Sequence, residues 1–198
     1  MGGFALTSFI RQSMTALIVL VLAGCSGSHG VPAPDPATRD LINQIAATPE
    51  SLAAFHANTT HRSFSKAHGT QIEYLAPDGR TYLVYPGNTR MVLGEWKSRI
   101  SPRRGKPAEM CFRYGQNSYN PVTKQRGGSW SCTPGRVYTY LAQEIIPGDP
   151  LNMRNTRTLP QVLPGGTNIS LATIAKAINR GPIPDTDKVQ WSPVQGNF

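Results

Sequence analysis

Residues 71–85, QIEYLAPDGRTYLVY, decide the fold. Two runs of alternating apolar side chains, residues 71–75 and 80–85, flank the tetrapeptide Ala76-Pro77-Asp78-Gly79. Proline fixes the φ angle of the first central turn position and glycine accepts a positive φ, so this stretch predicts a β-hairpin. Because successive side chains of a strand point to opposite faces, the alternation indicates an antiparallel sheet.

The same alternation continues toward the carboxyl end. It predicts three more strands, over residues 90–100, 109–114 and 129–132. Trp96 lies at the centre of the first of them, where Gly94 predicts a bend or a bulge. Residues 135–141 suit either a strand or a short helix, and a strand is favoured. These strands together predict an antiparallel meander.

Short helices are expected on both sides of the sheet. Residues 37–46 place Leu41 and Ile45 four positions apart, and Thr48-Pro49 is typical of the first residues of a second helix that ends by residue 58. A third helix is predicted at about 170–180. The expected fold class is α+β, a small antiparallel β-meander or partly open barrel with short flanking helices. It would occupy residues 37–141, followed by an irregular Pro-rich tail over residues 142–198.

Composition limits the size and the partners of the protein. The chain has 198 residues with 19 Gly and 17 Pro, which favours one turn-rich domain over a helical bundle. Twenty Lys and Arg against eleven Asp and Glu give a net charge of +9, which points to acidic partners.

The first residues have the layout of an export signal. A single basic residue, Arg11, precedes the apolar run 16–23. That run is shorter than the roughly 20 residues of a membrane-spanning helix, so residues 1–24 are interpreted as a signal peptide.

The tetrapeptide Leu22-Ala23-Gly24-Cys25 resembles the lipobox of bacterial lipoproteins. The resemblance implies that Cys25 carries a diacylglycerol and an acylated amino group, and that cleavage follows Gly24. Ser26, rather than Asp, after the lipidated residue implies anchoring in the outer membrane, facing the periplasm, with surface exposure left open. Residues 25–36 then form a flexible tether, and the remaining chain keeps 19 basic against 11 acidic residues, a net charge of +8.

Export also accounts for the odd number of cysteines. With Cys25 used by the lipid, Cys111 and Cys132 remain in an oxidising compartment, and we expect them to form a disulfide between adjacent strands. Closing such a loop contributes roughly 3 kcal/mol.

Catalytic signals are weak. Three histidines and one carboxylate could form a metal site: His56, His61, His68 and Glu73. Two of three carboxylates could form the acid pair of a glycosidase: Glu73, Glu95 and Glu109. The histidine spacing matches no known metal motif, so polar surface or capping histidines are the favoured interpretation. The sequence has no G-x-S-x-G element, P-loop or dinucleotide fingerprint. We expect no enzyme, cofactor or metal, with a cell-wall hydrolase or transferase as the alternative.

Basic and aromatic residues are interleaved around the predicted third and fourth strands, a composition suited to anionic ligands. The candidate binding residues are Trp96, Lys97, Arg99, Arg103, Arg104, Lys106, Arg113 and Arg126. The open alternative is that the cations are merely solvated and that Trp96 and Trp130 belong to the core. The predicted function is a non-catalytic binding or envelope-maintenance module whose partner is an anionic envelope polymer or an acidic protein. A further alternative is an inhibitor or accessory subunit of an envelope complex. Export argues against nucleic acid as the physiological partner.

One more resemblance concerns residues 50–135. The order of Phe55-His56-Ala57-Asn58-Thr59, the hairpin, Gly94-Glu95-Trp96 and Cys111-Phe112 resembles a family of small secreted bacterial proteins of unknown function. The resemblance implies a Gly-x-Trp strand followed by a cysteine strand, and it supplies no catalytic residues.

Overall fold

The computed structural model describes residues 33–102, 108–156 and 162–178. Seven of its strands form one curled antiparallel sheet, a half-barrel, and two very short strands form a separate ribbon. The strands are β1 (Thr59–Ser65), β2 (Gly69–Leu75), β3 (Arg80–Val84), β4 (Val92–Ile100), β5 (Ala108–Tyr114), β6 (Tyr119–Asn120), β7 (Gln125–Arg126), β8 (Ser131–Pro134) and β9 (Glu144–Pro147). The order across the sheet is β8-β5-β4-β3-β2-β1-β9, and the expected α+β class is confirmed.

The hairpin predicted from residues 71–85 is confirmed. Leu75 of β2 pairs with Thr81 of β3, and the turn closes with a hydrogen bond from the Gly79 amide to the Ala76 carbonyl at 3.1 Å. Gly79 has a φ of 84°, a backbone angle that residues other than glycine rarely adopt. The turn therefore sets the register of the central strands.

Five short helices accompany the sheet. They are α1 (Pro36–Ile45), α2 (Pro49–His56), α3 (Gly135–Leu141), α4 (Met153–Thr156) and α5 (Leu171–Ala177). Thr48 caps α2 as predicted, because its hydroxyl accepts from the Ser51 amide at 3.1 Å. The three helices expected from the sequence are thus confirmed as α1, α2 and α5. In the part of the chain that the structure describes, no helix has both the length and the apolarity needed to cross a membrane.

The strand favoured for residues 135–141 is wrong, because these residues form α3. A Cβ on Gly135 would lie 2.6 Å from the side chain of Leu52, so the start of α3 packs directly against α2. Val137, Tyr138 and Tyr140 suit both periods, and this long-range contact decides between them.

The two faces of the sheet are covered by different parts of the chain. On the side that we call the helix face, α1, α2 and α3 pack over alternate strand residues. The buried residues of this cluster are Ile45, Ala46, Leu52, Leu75, Trp96, Ala108 and Met110. On the opposite side, the tail face, residues that follow α3 cover strands β2 and β3. The buried residues there include Ile72, Tyr74, Tyr82, Val84, Leu151, Met153, Leu171 and Ile174.

The described residues after 141 are therefore closely attached to the sheet. Strand β9 pairs with β1, and Arg62 of β1 forms an ion pair with Glu144 of β9 at 3.1 Å. The Thr70 hydroxyl donates to the carbonyl of Thr167 at 2.6 Å, just before α5. Among the described residues, these contacts do not extend to the part of the tail face that β4, β5 and β8 form.

Gly94 keeps strand β4 in regular register instead of forming the expected bulge. It pairs with Thr81 on one side and Tyr114 on the other. A Cβ at this position would lie 2.8 Å from Cδ1 of Tyr114 and 3.1 Å from Cγ2 of Thr81. The glycine thus leaves room for the Tyr114 ring to lie across β4.

Candidate functional site

A pocket of about 220 Å³ opens on the helix face of the sheet. Strands β1, β2, β3, β5 and β8 and helix α3 all contribute to its wall. The lining residues are His61, Ser63, Gln71, Glu73, Leu83, Phe112, Tyr114, Thr133, Tyr138, Leu141 and Ala142. Aromatic rings and polar side chains thus converge on one small space, which is the usual composition of a ligand pocket.

Glu73 is the acidic residue of this pocket. Its Oε1 accepts hydrogen bonds from the Thr81 hydroxyl and the Tyr114 hydroxyl, each at 2.6 Å. Tyr114 lies on β5 and reaches Glu73 on β2, because the small Gly94 and Thr81 occupy the strands between them. Burial raises the pKa of the Glu73 carboxyl, and hydrogen bonds from Thr81, Tyr114 and Tyr138 partly oppose that rise.

Two buried histidines form the inner end of the same network. The Thr59 hydroxyl donates to the His56 carbonyl at 2.5 Å, so its oxygen accepts from Nε2 of His61 at 2.7 Å. His61 Nε2 also lies 3.3 Å from Nδ1 of His56, whose Nε2 bonds the Thr139 hydroxyl at 2.9 Å. This pattern places one proton on Nε2 of each ring, and both histidines are neutral.

Burial keeps the two rings uncharged well below neutral pH. It lowers the pKa of His61 to about 3. The pKa of His56 is also well below its ordinary value, because of burial and then the neighbouring His61. The histidines consequently add no positive charge to the pocket near neutral pH.

Tyr138 connects the histidines with the carboxyl group. Its hydroxyl lies 3.2 Å from Nδ1 of His61 and is also hydrogen-bonded to Glu73. A hydroxyl has one proton, so Tyr138 donates either to His61 or to the ionised Glu73. Ionisation of Glu73 is therefore coupled to the direction of this hydroxyl.

The structure brings together part of the group of polar residues that the sequence singled out. His56, His61 and Glu73 belong to the network, whereas His68 bonds the Tyr85 hydroxyl at 2.8 Å away from the pocket. The prediction of surface or capping histidines is wrong for His56 and His61, which are 0% and 4% exposed. The sequence did not place Tyr114 and Tyr138 beside Glu73. Their positions depend on the register of β5 and on the helical conformation of α3.

The three candidate carboxylates do not share a site. Glu95 pairs with Arg113 and Glu109 with Arg99, and both pairs lie on the tail face. Glu73 lies on the helix face. Glu73 therefore cannot form a glycosidase pair with either of the other two.

A second candidate site lies on the part of the tail face that strands β4, β5 and β8 form. Trp130, just before β8, is half-buried between two cations. The Nζ of Lys97 lies 4.2 Å from the ring centroid and the Cζ of Arg113 lies 5.0 Å from it. We call Lys97, Arg99, Arg113 and Trp130, together with Arg126 from the ribbon that follows β5 in the chain, the cationic face.

The other predicted binding residues are located as follows. Arg126 lies over the Tyr119 ring at 5.7 Å, on the ribbon formed by β6 and β7. Trp96 is in the core, and its indole N–H donates to the Ala76 carbonyl at 2.8 Å. Arg103, Arg104 and Lys106 lie outside the described residues, as does Cys25.

The predicted disulfide between Cys111 and Cys132 is confirmed. The two residues are direct partners on β5 and β8 and lie on the tail face, like their neighbours Lys97 and Arg113. Glu109 lies near both sulfur atoms, but the sulfurs are bonded to each other and are not metal ligands here. The bridge covalently joins β5 and β8, two of the strands that present the cationic face.

Comparison of the chain with family models, with curated proteins and with solved structures finds no match. Function must therefore be inferred from the two sites themselves.

Proposed function

We propose that the protein is an exported lipoprotein, anchored through Cys25 in the bacterial outer membrane. Its folded domain is a non-catalytic binding module whose cationic face takes a phosphate-bearing polymer or lipid headgroup. The observation that carries the proposal is the exposed stack of Lys97 and Arg113 on Trp130. Cations held on an aromatic ring combine a charge for phosphate with an apolar surface for a sugar or acyl segment.

The charges around this stack favour an anionic ligand. Among the described residues, Lys97 and Arg126 form no ion pair, whereas Arg99 and Arg113 are each held by one glutamate. Arg103, Arg104 and Lys106 follow β4 in the chain and add three more cations near its end. The chain from residue 25 onward keeps a net charge of +8, from 19 basic and 11 acidic residues, so an anionic surface would attract it.

The proposal is tested by binding of the exported chain, residues 26–198, to vesicles. We expect binding to phosphatidylglycerol vesicles that weakens as salt increases, and little binding to phosphatidylcholine vesicles. Lys97→Glu with Arg126→Glu should weaken binding at least about tenfold, since two cations are replaced by anions. Purified peptidoglycan and lipopolysaccharide in parallel arms distinguish a polymer from a lipid.

The matched control reverses two exposed cations elsewhere. Arg39 on α1 and Lys66 in the β1–β2 turn are exposed and lie away from the cationic face. Arg39→Glu with Lys66→Glu changes the net charge equally and should weaken binding much less. Equal weakening by both double variants would mean that only total charge matters, and the cationic face would lose its role.

A cell-wall hydrolase or transferase is the second candidate, and one observation favours it. His61 and Glu73 line one pocket, His56 lies behind His61, and Tyr138 links His61 to Glu73. Such a chain could move a proton to or from a bound substrate. Release of soluble fragments from peptidoglycan by the wild-type chain, lost in Glu73→Gln, would support the enzyme over the binding module.

A further inference from the structure

The pocket on the helix face is a site distinct from the cationic face, with the opposite chemistry. Three aromatic side chains, Phe112, Tyr114 and Tyr138, line it together with the carboxyl group of Glu73. The ring centroid of Phe112 lies 6.2 Å from that of Tyr114 and 5.2 Å from that of Tyr138, so the three rings form one continuous aromatic wall. Glu73 is only half-buried, which leaves its carboxyl group reachable from the pocket.

The pocket has one acid and no base that is charged near neutral pH. Among the described residues that line it there is no lysine or arginine. His61, the remaining basic group, stays neutral because burial lowers its pKa to about 3. An anion would therefore meet the Glu73 carboxylate without any compensating charge.

We infer that this pocket binds a small organic ammonium ion, with Glu73 as the counter-ion and Phe112, Tyr114 and Tyr138 as an aromatic wall. Aromatic ring faces attract alkylammonium groups, and a carboxylate beside them adds a charge of the required sign. The volume of about 220 Å³ is below the roughly 300–1,000 Å³ of pockets for drug-sized ligands. The pocket therefore fits a headgroup-sized amine.

The hydrogen bonds already made in the pocket favour an ammonium ion over a sugar. The hydroxyl protons of Thr81 and Tyr114 are both donated to Glu73, and Tyr138 is shared between Glu73 and His61. A sugar would need these donors for its own hydroxyl groups and would leave Glu73 less well paired. An ammonium ion uses the ring faces and the charge and leaves the existing bonds in place.

Ligand affinity should depend on pH through Glu73. The titratable groups that face it are His61 on β1, Tyr114 on β5 and Tyr138 on α3, with His56 on α2 behind His61. Both histidines stay neutral and both tyrosines stay protonated near neutral pH, since burial raises the tyrosine pKa values well above 10. Affinity for an ammonium ion should thus fall as the pH falls through the raised pKa of Glu73, and binding should release a proton there.

The test uses the full chain in a non-ionic detergent and two probes of equal shape. Choline carries a trimethylammonium group, and 3,3-dimethyl-1-butanol replaces it by a neutral tert-butyl group. We expect calorimetry to show choline binding at least about tenfold tighter than the neutral isostere, since the Glu73 carboxylate pairs only with the former. The preference should shrink as the pH is lowered toward 4.

Two variants assign the effect to the pocket. Glu73→Gln removes the charge and keeps an acceptor for Thr81 and Tyr114, so we expect it to fold and to lose the preference for choline. Glu95→Gln makes the same change on the exposed tail face and should leave choline binding unchanged. Circular dichroism of both variants checks that they are folded.

Several outcomes would overturn the inference. These are equal binding of choline and its isostere, loss of choline binding in Glu95→Gln as well, and absence of choline binding at about 10 mM, where even a weak headgroup site is occupied. Binding of N-acetylglucosamine in place of choline would assign the pocket to a saccharide. This site does not depend on the cationic face, so the vesicle experiment can fail while choline binds, and the reverse.

Discussion

Strands β4 and β5 present two opposite chemistries on their two faces. Residues Trp96, Phe112 and Tyr114 point to the helix face, where the first is core and the other two line the pocket. Their neighbours Lys97 and Arg113 point to the tail face and hold Trp130 between them. One face therefore gathers cations around an aromatic ring, and the other gathers aromatic rings around a carboxyl group.

The difference between the faces comes from what covers them. Helices α1, α2 and α3 close the helix face, so a polar group there must find a partner within the protein, and Glu73, His61 and His56 do so. In the part of the chain that the structure describes, the tail face is covered over β2 and β3, and the cations on β4 and β5 are exposed. Alternation along a strand is thus enough to separate the proposed anion-binding surface from the proposed cation-binding pocket.

The largest expected effect is the loss of stability when the disulfide beneath the cationic face is removed. Removing the disulfide with Cys111→Ala and Cys132→Ala should lower the free energy of unfolding by about 3 kcal/mol, because the unfolded chain regains the entropy of a loop of 21 residues. Urea denaturation measures the change. Choline binding on the other face should persist in the folded fraction, and unchanged stability would show that the bridge does not support the sheet.

A smaller effect concerns the histidines on the pocket side. The pKa of His61 is about 3 in the folded protein, against an ordinary value of 6.5 when the chain is unfolded. The unfolded chain therefore binds more protons below about pH 6.5, and stability falls there. From pH 7 to pH 5 the loss from His61 is about 2 kcal/mol. The raised pKa of Glu73 has the opposite effect on stability, because it adds stability as the pH falls. The lowered pKa of His56 removes stability as the pH falls, as that of His61 does.

Thermal unfolding between pH 5 and pH 7 tests this pH dependence. His61→Gln should be less stable at pH 7 than the wild type and should show a flatter dependence on pH. If the wild-type melting temperature were equal at both pH values, the two rings would not be buried and neutral.

The smallest effect concerns the stack on Trp130. Lys97→Met keeps an apolar stem over the ring and removes the charge, so it should cost only about 0.5–1 kcal/mol of stability. Lys66→Met in the exposed β1–β2 turn is the matched control and should cost less. Chemical denaturation of both variants provides the comparison, and a loss above about 2 kcal/mol would mean that the cationic face is structural and not a free binding surface.

Local signals in the sequence predicted the central part of the fold. The cap at Thr48, the turn at Gly79 and the alternation of β2 to β5 act within a few residues, and the structure confirms them. Strands β1 and β9 were not predicted, because THRSF is a polar run and EIIP has only four residues. Helix α3 was predicted in the wrong class because its contact with Leu52 comes from far along the chain.

The two sites also differ in how far the sequence could predict them. Lys97 and Arg113 could be proposed from composition, since charged residues at alternating positions are visible in the sequence. The pocket depends on contacts between residues that lie 41 and 77 positions apart, Tyr114 with Glu73 and Tyr138 with His61. No local pattern contains such pairs, so only the register of the sheet and the position of α3 reveal them.

The most direct test of opposite chemistry on the two faces is a pair of NMR titrations of the isotope-labelled protein, one with choline and one with inorganic phosphate. Choline should shift the signals of His61, Glu73 and Tyr138, and phosphate should shift those of Lys97, Arg113 and Trp130. Perturbation of the same face by both probes, or choline shifts confined to the tail face, would contradict the account.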